Sequence, residues 1–128
     1  MRDFLNTVSR YFVRSDRWLS EGPRLNESRM GASACHLSKH VYVVGGYNST
    51  TGYLGSIERL DLTCEEVGWK LMSTTITPPR QDLVVARLNK YEFAILGGFK
   101  GEEDRSGHLE DVFIFDSKTD IISSVQLS

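Results

Sequence analysis

A period of about fifty residues restricts the fold of this chain more than any other feature. His40-Val41-Tyr42-Val43-Val44-Gly45-Gly46-Tyr47 returns 52 residues later as Glu92-Phe93-Ala94-Ile95-Leu96-Gly97-Gly98-Phe99. Ser56-Ile57-Glu58-Arg59-Leu60-Asp61-Leu62 returns 55 residues later as Asp111-Val112-Phe113-Ile114-Phe115-Asp116-Ser117, the extra three falling in the loop after the glycines. A third, partial copy lies upstream. Trp18 precedes Arg29 by 11 residues, as Trp69 precedes Arg80. Trp18-Leu19 therefore takes the place of the strand that starts at Trp69, and Val8 to Val13 matches the segment ending at Asp61-Leu62.

Each unit reads as four short strands. Gly31 to Leu37 is small and weakly patterned, Val41 to Val44 is a β-branched and aromatic run, Ile57 to Leu62 alternates, and Trp69 to Met72 is brief and amphipathic. Asn48 to Gly52, Glu65 to Gly68 and Thr77 to Pro79 supply turn residues between them. A four-stranded unit at this period is the pattern of a propeller blade. The runs Val41–Val44 and Phe93–Leu96 do not alternate, which suits strands covered on both faces by neighbouring blades. The predicted fold is all-β, an incomplete β-propeller of four-stranded antiparallel blades. Residues 1–20 form the last strands of a preceding partial blade, 29–72 a complete repeat, and 80–127 a second repeat with a degenerate last strand. For the N-terminus a second reading stays open, because Phe4, Leu5, Val8, Tyr11 and Phe12 also fit helical spacing over residues 2–13.

Arg29, then Val41–Gly46, a loop, Ile57–Leu62 and Trp69 resemble a kelch repeat through its whole length. The second copy keeps Arg80, Ala94–Gly98 and Val112–Asp116 but places Ile122 near the expected tryptophan, leaving its outer strand without an aromatic anchor. The resemblance covers roughly residues 7–127. Kelch proteins similar to this close rings of several blades, more than these residues supply. The resemblance therefore leaves three readings: a part of a larger propeller, a piece that completes itself by self-association, or a fragment with no independent activity.

Composition narrows the partners. A formal net charge of −2 gives no electrostatic reason to expect nucleic acid or an anionic membrane surface, and no apolar run is long enough to span a bilayer. The first residues lack the apolar core of a signal peptide, so the expected location is cytoplasmic. Cys35 and Cys64 read as reduced thiols in that setting. The sequons at Asn26 and Asn48 read as chance matches without a secretory signal.

The residues that carry chemistry elsewhere read here as structural. Gly45-Gly46 and Gly97-Gly98 each end a strand and open into polar loop, whereas a phosphate cradle needs a following helix. Trp18 and Trp69 hold matching repeat positions and are expected as packing residues between blades. His36 and His40 flank a tight turn with no cysteine or carboxylate cluster beside them, so no metal is expected. Asp61 and Asp116 recur at one turn, which fits a side chain bonding backbone amides rather than an acid–base pair. No nucleophile elbow or activated cysteine context is present, and no cofactor is expected.

The resemblance implies a protein-interaction module, not an enzyme, whose partner meets the residues after each glycine pair and each repeat-opening arginine. These are Tyr47, Asn48, Phe99, Lys100, Gln81 and Asp82, with Arg29 and Arg80 beside them. A basic rim of this kind implies an acidic peptide motif. The acidic loop Gly101–Gly107 reads first as a solvated connection, and it is also the candidate for a partner-specific insertion. Some kelch proteins are adaptors of cullin-type ubiquitin ligases, but those carry an additional BTB domain that these 128 residues have no room for. The enzymatic alternative is a copper-radical oxidase, which needs two tyrosines, a cysteine and two histidines converging on the axis; no spacing here brings such a set together.

Overall fold

Each glycine-doublet segment folds as a four-stranded antiparallel meander, its blade strands pairing in chain order. The computed structural model describes residues 4–19, 21–101 and 107–126. Strands β1 (Arg10–Phe12) and β2 (Arg17–Leu19) form an N-terminal hairpin. The first blade is β3 (Ser33–Leu37), β4 (His40–Val44), β7 (Ser56–Asp61) and β8 (Lys70–Thr75), with a small ribbon, β5 (Tyr47–Asn48) and β6 (Gly52–Tyr53), inserted after β4. The second blade is β9 (Val84–Arg87), β10 (Glu92–Phe99), β11 (His108–Asp116) and β12 (Ile121–Val125). The two blades are separate sheets, and among the described residues the array is not closed. Among the described residues no helix is long and apolar enough to cross a membrane.

The core lies between the blades. Side chains opposite one another in an antiparallel sheet share a face, so Tyr42, Val44 and Ile57 point from the first blade towards Phe93, Ile95 and Phe115 of the second. The Tyr42 ring stands 5.4 Å from Phe93 and 5.2 Å from Phe115, and the two phenylalanines stack at 4.8 Å. Such ring pairs contribute about 0.5–1.5 kcal/mol each beyond their buried area. In the first blade Leu60 on the opposite face is buried as well, which is why Val41–Val44 does not alternate; Phe93–Leu96 keeps the same apolar pattern although Leu96, on the outward face of the second blade, is partly exposed. Ile122 packs against this core from β12, so the outer strand of the second blade is paired along its length without an aromatic anchor.

Polar contacts repeat with the blades. Arg59 of the first blade reaches Asp120 in the β11–β12 turn of the second at 3.4 Å, and Arg10 of the hairpin reaches Glu65 in the β7–β8 turn at 2.6 Å. Main-chain bonds repeat too. Arg29 N donates to Leu5 O at 3.0 Å as Arg80 N donates to Leu54 O at 3.1 Å, and Leu25 N donates to Asn6 O as Ile76 N does to Gly55 O, each at 2.8 Å. Those acceptors explain the N-terminus. The carbonyls of Leu5, Asn6 and Val8 accept bonds from the segment that follows β2, so residues 4–9 form no helix and the helical reading fails over residues 4–13; its first two residues, 2 and 3, lie outside the described residues.

Trp69 and Trp18 share a repeat position but not an environment. Trp69 is buried and its indole N–H donates to Pro23 O at 2.9 Å. Trp18 is 68% exposed, its ring tilted against that of Tyr11, 5.1 Å away. The expectation that Trp18 packs between blades is corrected: among the described residues no sheet face lies against its side of the hairpin. Both cysteines are free, Cys35 beside the core and Cys64 exposed.

Candidate protein-interaction surface

The loop end of the blades is built around two glycine doublets and two arginines. Gly45 has φ +68°, and a Cβ there would lie 2.7 Å from Arg80 O, so a side chain is excluded both by conformation and by space. Gly97 and Gly98 repeat the positive φ values, with a bulge in β10 between Leu96 and Gly98. The amides of the first doublet are committed inside the fold, Gly45 N to Ser56 O and Gly46 N to Arg80 O at 3.1 and 2.8 Å. They have no N–H to offer a phosphate.

Arg29 lies under this turn with its side chain 1% exposed. Its Nη1 donates to Gly45 O at 2.8 Å and Ser56 O at 3.0 Å, its Nη2 to Ser56 Oγ at 2.9 Å, and Nε and Nη2 both reach Glu58. Glu58, fully buried, accepts in addition from Asn26 N, Asn26 Nδ2 and Glu27 N. Five donors around one carboxylate satisfy a charge that would otherwise cost several kcal/mol to bury. Arg80 repeats the latch: Nη1 donates to Gly97 O at 3.1 Å, and the guanidinium takes Asp111 in a two-pronged pair. The counter-ion has moved, however. Asp111 is the repeat equivalent of Ser56, and the equivalent of Glu58 is Phe113, whose ring lies 5.3 Å beneath Arg80.

These latches correct the expected partner face. Arg29 and Arg80 are buried and paired within the chain, so neither guanidinium faces outward. Asn48 is buried as well, donating to Ser28 O and accepting from Thr50 N and Thr51 N to shape the β5–β6 turn. The basic rim that implied an acidic peptide contained both arginines; of its basic groups Lys100 remains, half-buried. Both sequon side chains are engaged also, since Asn26 Nδ2 donates to Glu58 and to Trp69 O.

The structure does bring together an aromatic row. Met30 and Tyr47 exchange main-chain bonds, as Gln81 and Phe99 do one repeat later, which fixes both rings at the loop end. Tyr53 stands between them, 5.0 Å from Tyr47 and 6.0 Å from Phe99. Phe4 extends the row at one end, 5.7 Å from Tyr47, and His108 at the other, 5.1 Å from Phe99. Tyr47, Tyr53, Phe99, Gln81 and Lys100 are half-buried, and Asp82 is exposed with φ +56° and its N–H bonded to Gly31 O. Tyr53 and His108 hold the same repeat position, 55 residues apart, and each pairs across the ladder with the ring that follows its doublet, Tyr47 or Phe99; the sequence reading missed both because it followed the doublets and not the strand that pairs with them. Residues 102–106 of the acidic loop lie outside the described residues.

The remaining polar candidates are structural. His36 pairs across the β3–β4 hairpin with Val41, and His40 with Leu37, which places the two imidazoles on opposite faces. Burial pulls the His40 pKa down. Asp61 accepts from Thr63 N at 2.8 Å and Thr63 Oγ1 at 2.6 Å, and these bonds, the hydroxyl's first, lower its pKa to about 2. Asp116 accepts from Lys118 N in the matching turn.

A four-stranded meander latched at its glycine doublet by a buried arginine, and stacked face to face on its own copy, defines a blade-repeat β protein. The repeat has a name: the family model described as Kelch motif matches residues 28–66, from the residue before Arg29 through β7. Over that span the chain is similar to a kelch repeat, and the second blade reproduces the latch, the doublet and the strand pairing of the first.

Proposed function

We propose that this chain is a protein-binding module, not a catalyst, and that it meets its partner at the loop end through the row Tyr47–Tyr53–Phe99. Kelch repeats are commonly protein-interaction modules, and the ring row carries the reading here. Partly exposed aromatics on a rigid frame offer contact area at small entropic cost, the composition favoured in binding hot spots. Gln81, Asp82 and Lys100 flank the rings with polar groups that set orientation. With both arginines paired internally, the chemistry favours a partner that inserts apolar or aromatic side chains over an acidic peptide.

A peptide-display selection against the whole chain tests this. Selected peptides are expected to lose at least tenfold in affinity on Tyr53→Ala or Phe99→Ala and to be indifferent to Tyr91→Ala, at the opposite end of the blades. Peptides that ignore Tyr53 and Phe99 but respond to Tyr91 would overturn the assignment of the surface.

A further inference from the structure

We propose that the outward face of the second blade receives the N-terminal hairpin of a second copy of this chain, so that the molecule associates head to tail. That face carries Val84, Leu96, Val112, Ile114 and Val125 in cross-strand rows, with Val84 56% and Leu96 36% exposed. It is the repeat equivalent of the first-blade face that buries Val44 and Ile57 under the second blade, so it presents the same strand positions that already make one blade-to-blade contact in this chain.

The hairpin supplies the complementary half. Its turn, Val13–Asp16, has the length of Ser117–Asp120 in the second blade, and both turns end on an aspartate in the left-handed region, φ 50° at Asp16 and 57° at Asp120. By that match Tyr11 and Trp18, which pair across the hairpin, stand where Phe115 and Ile122 stand in β11 and β12. Phe115 and Ile122 help to seat the second blade on the first. Tyr11 and Trp18 are the same device turned to solvent, 44% and 68% exposed.

The polar groups agree on who the occupant is. Asp120 is answered by Arg59 of the blade beneath it. Asp16 is answered from within its own hairpin, by the Tyr11 hydroxyl. On the receiving face, Ile114 opposes Ala94 where Arg59 opposes Tyr42 in the first blade. A hairpin that satisfies its own aspartate suits a face that has isoleucine in place of arginine. Because the two patches differ, the contact is heterologous and can propagate.

Light scattering behind size exclusion on the full chain is the test. The wild type is expected to exceed the monomer mass in a concentration-dependent way. Ile114→Glu removes the receiving face and Trp18→Ser the hairpin, and each is expected to run as a folded monomer by circular dichroism; Leu96→Lys replaces Ile114→Glu should the latter unfold. Mixing the two variants restores one intact face and one intact hairpin, so a dimer of one copy of each is expected. A monomeric wild type, a variant that assembles like wild type, or a mixture that stays monomeric would each overturn the proposal. Persistent dimers of Trp18→Ser alone would replace it with a face-to-face contact. Tyr53→Ala should leave the assembly unchanged, which separates this inference from the loop-end reading.

Discussion

Arg29 and Glu58 face each other at 3.0 Å inside the first blade, with 1% and 0% of their side chains exposed. A pair this deep is a liability when halved, because the survivor keeps its charge without its partner. Glu58→Ala is expected to cost about 3–5 kcal/mol, read as a fall in the urea midpoint. Glu58→Phe should cost a similar amount, and adding Ser56→Asp to it should recover part of the loss, since that combination reproduces the arrangement around Arg80.

The two tryptophans separate position from burial. Trp69→Ala removes a buried indole and its bond to Pro23 O, with an expected loss of about 3–5 kcal/mol. Trp18→Ala, at an exposed site, should fall within about 0.5 kcal/mol of wild type in dilute solution. Thermal melts of the two variants side by side check this.

Asp61 gives a pH signature. Its folded pKa of about 2 lies below the 3.8 of a free aspartate side chain, so its contribution to stability is complete above the unfolded value and is lost as pH falls from about 4 towards 2. Carbon-detected titration of the Asp61 carboxyl should show the low midpoint, and Thr63→Val should raise it, because the hydroxyl is the largest cause of the shift.

Gly101 bears on the ring row. It has φ +99°, and a Cβ there would sit 2.5 Å from Tyr53 Cε2. Gly101→Ala is expected to shift the Tyr53 ring and weaken selected peptides several-fold, with the ring resonances of Tyr53 and Phe99 moving together in the NMR spectrum and those of Tyr91 unchanged.

The period of the chain exposed the blades because each blade needs the same doublet turn and the same covered strands. The direction in which the repeated arginines point was hidden. Recurrence marks Arg29 and Arg80 as special, but a guanidinium under a turn and one on a rim leave the same mark. The decisive partner, Glu58, sits in a segment that reads as ordinary alternation, and its function in the second blade has passed to Asp111. Tyr53 and His108 were missed for another reason: they share a register with Tyr47 and Phe99, but the loop between each pair differs by the three inserted residues, so the shared position shows only once the strands are paired. Trp18 shows the limit of the equivalence itself, since a matching position inherits its burial only when the neighbouring sheet is also there.

The shifted counter-ion bears on how such repeats can be exchanged. One blade holds its carboxylate at the position of Ser56 plus two, the other at the position of Ser56 itself, and each balances one guanidinium. A genetic crossover between the copies that falls between those two positions would leave one hybrid with two acids crowding an arginine and the reciprocal hybrid with none. Only exchanges that carry both positions together conserve charge, so the short stretch around Ser56 and Glu58 is inherited as a unit even though its two copies share neither residue.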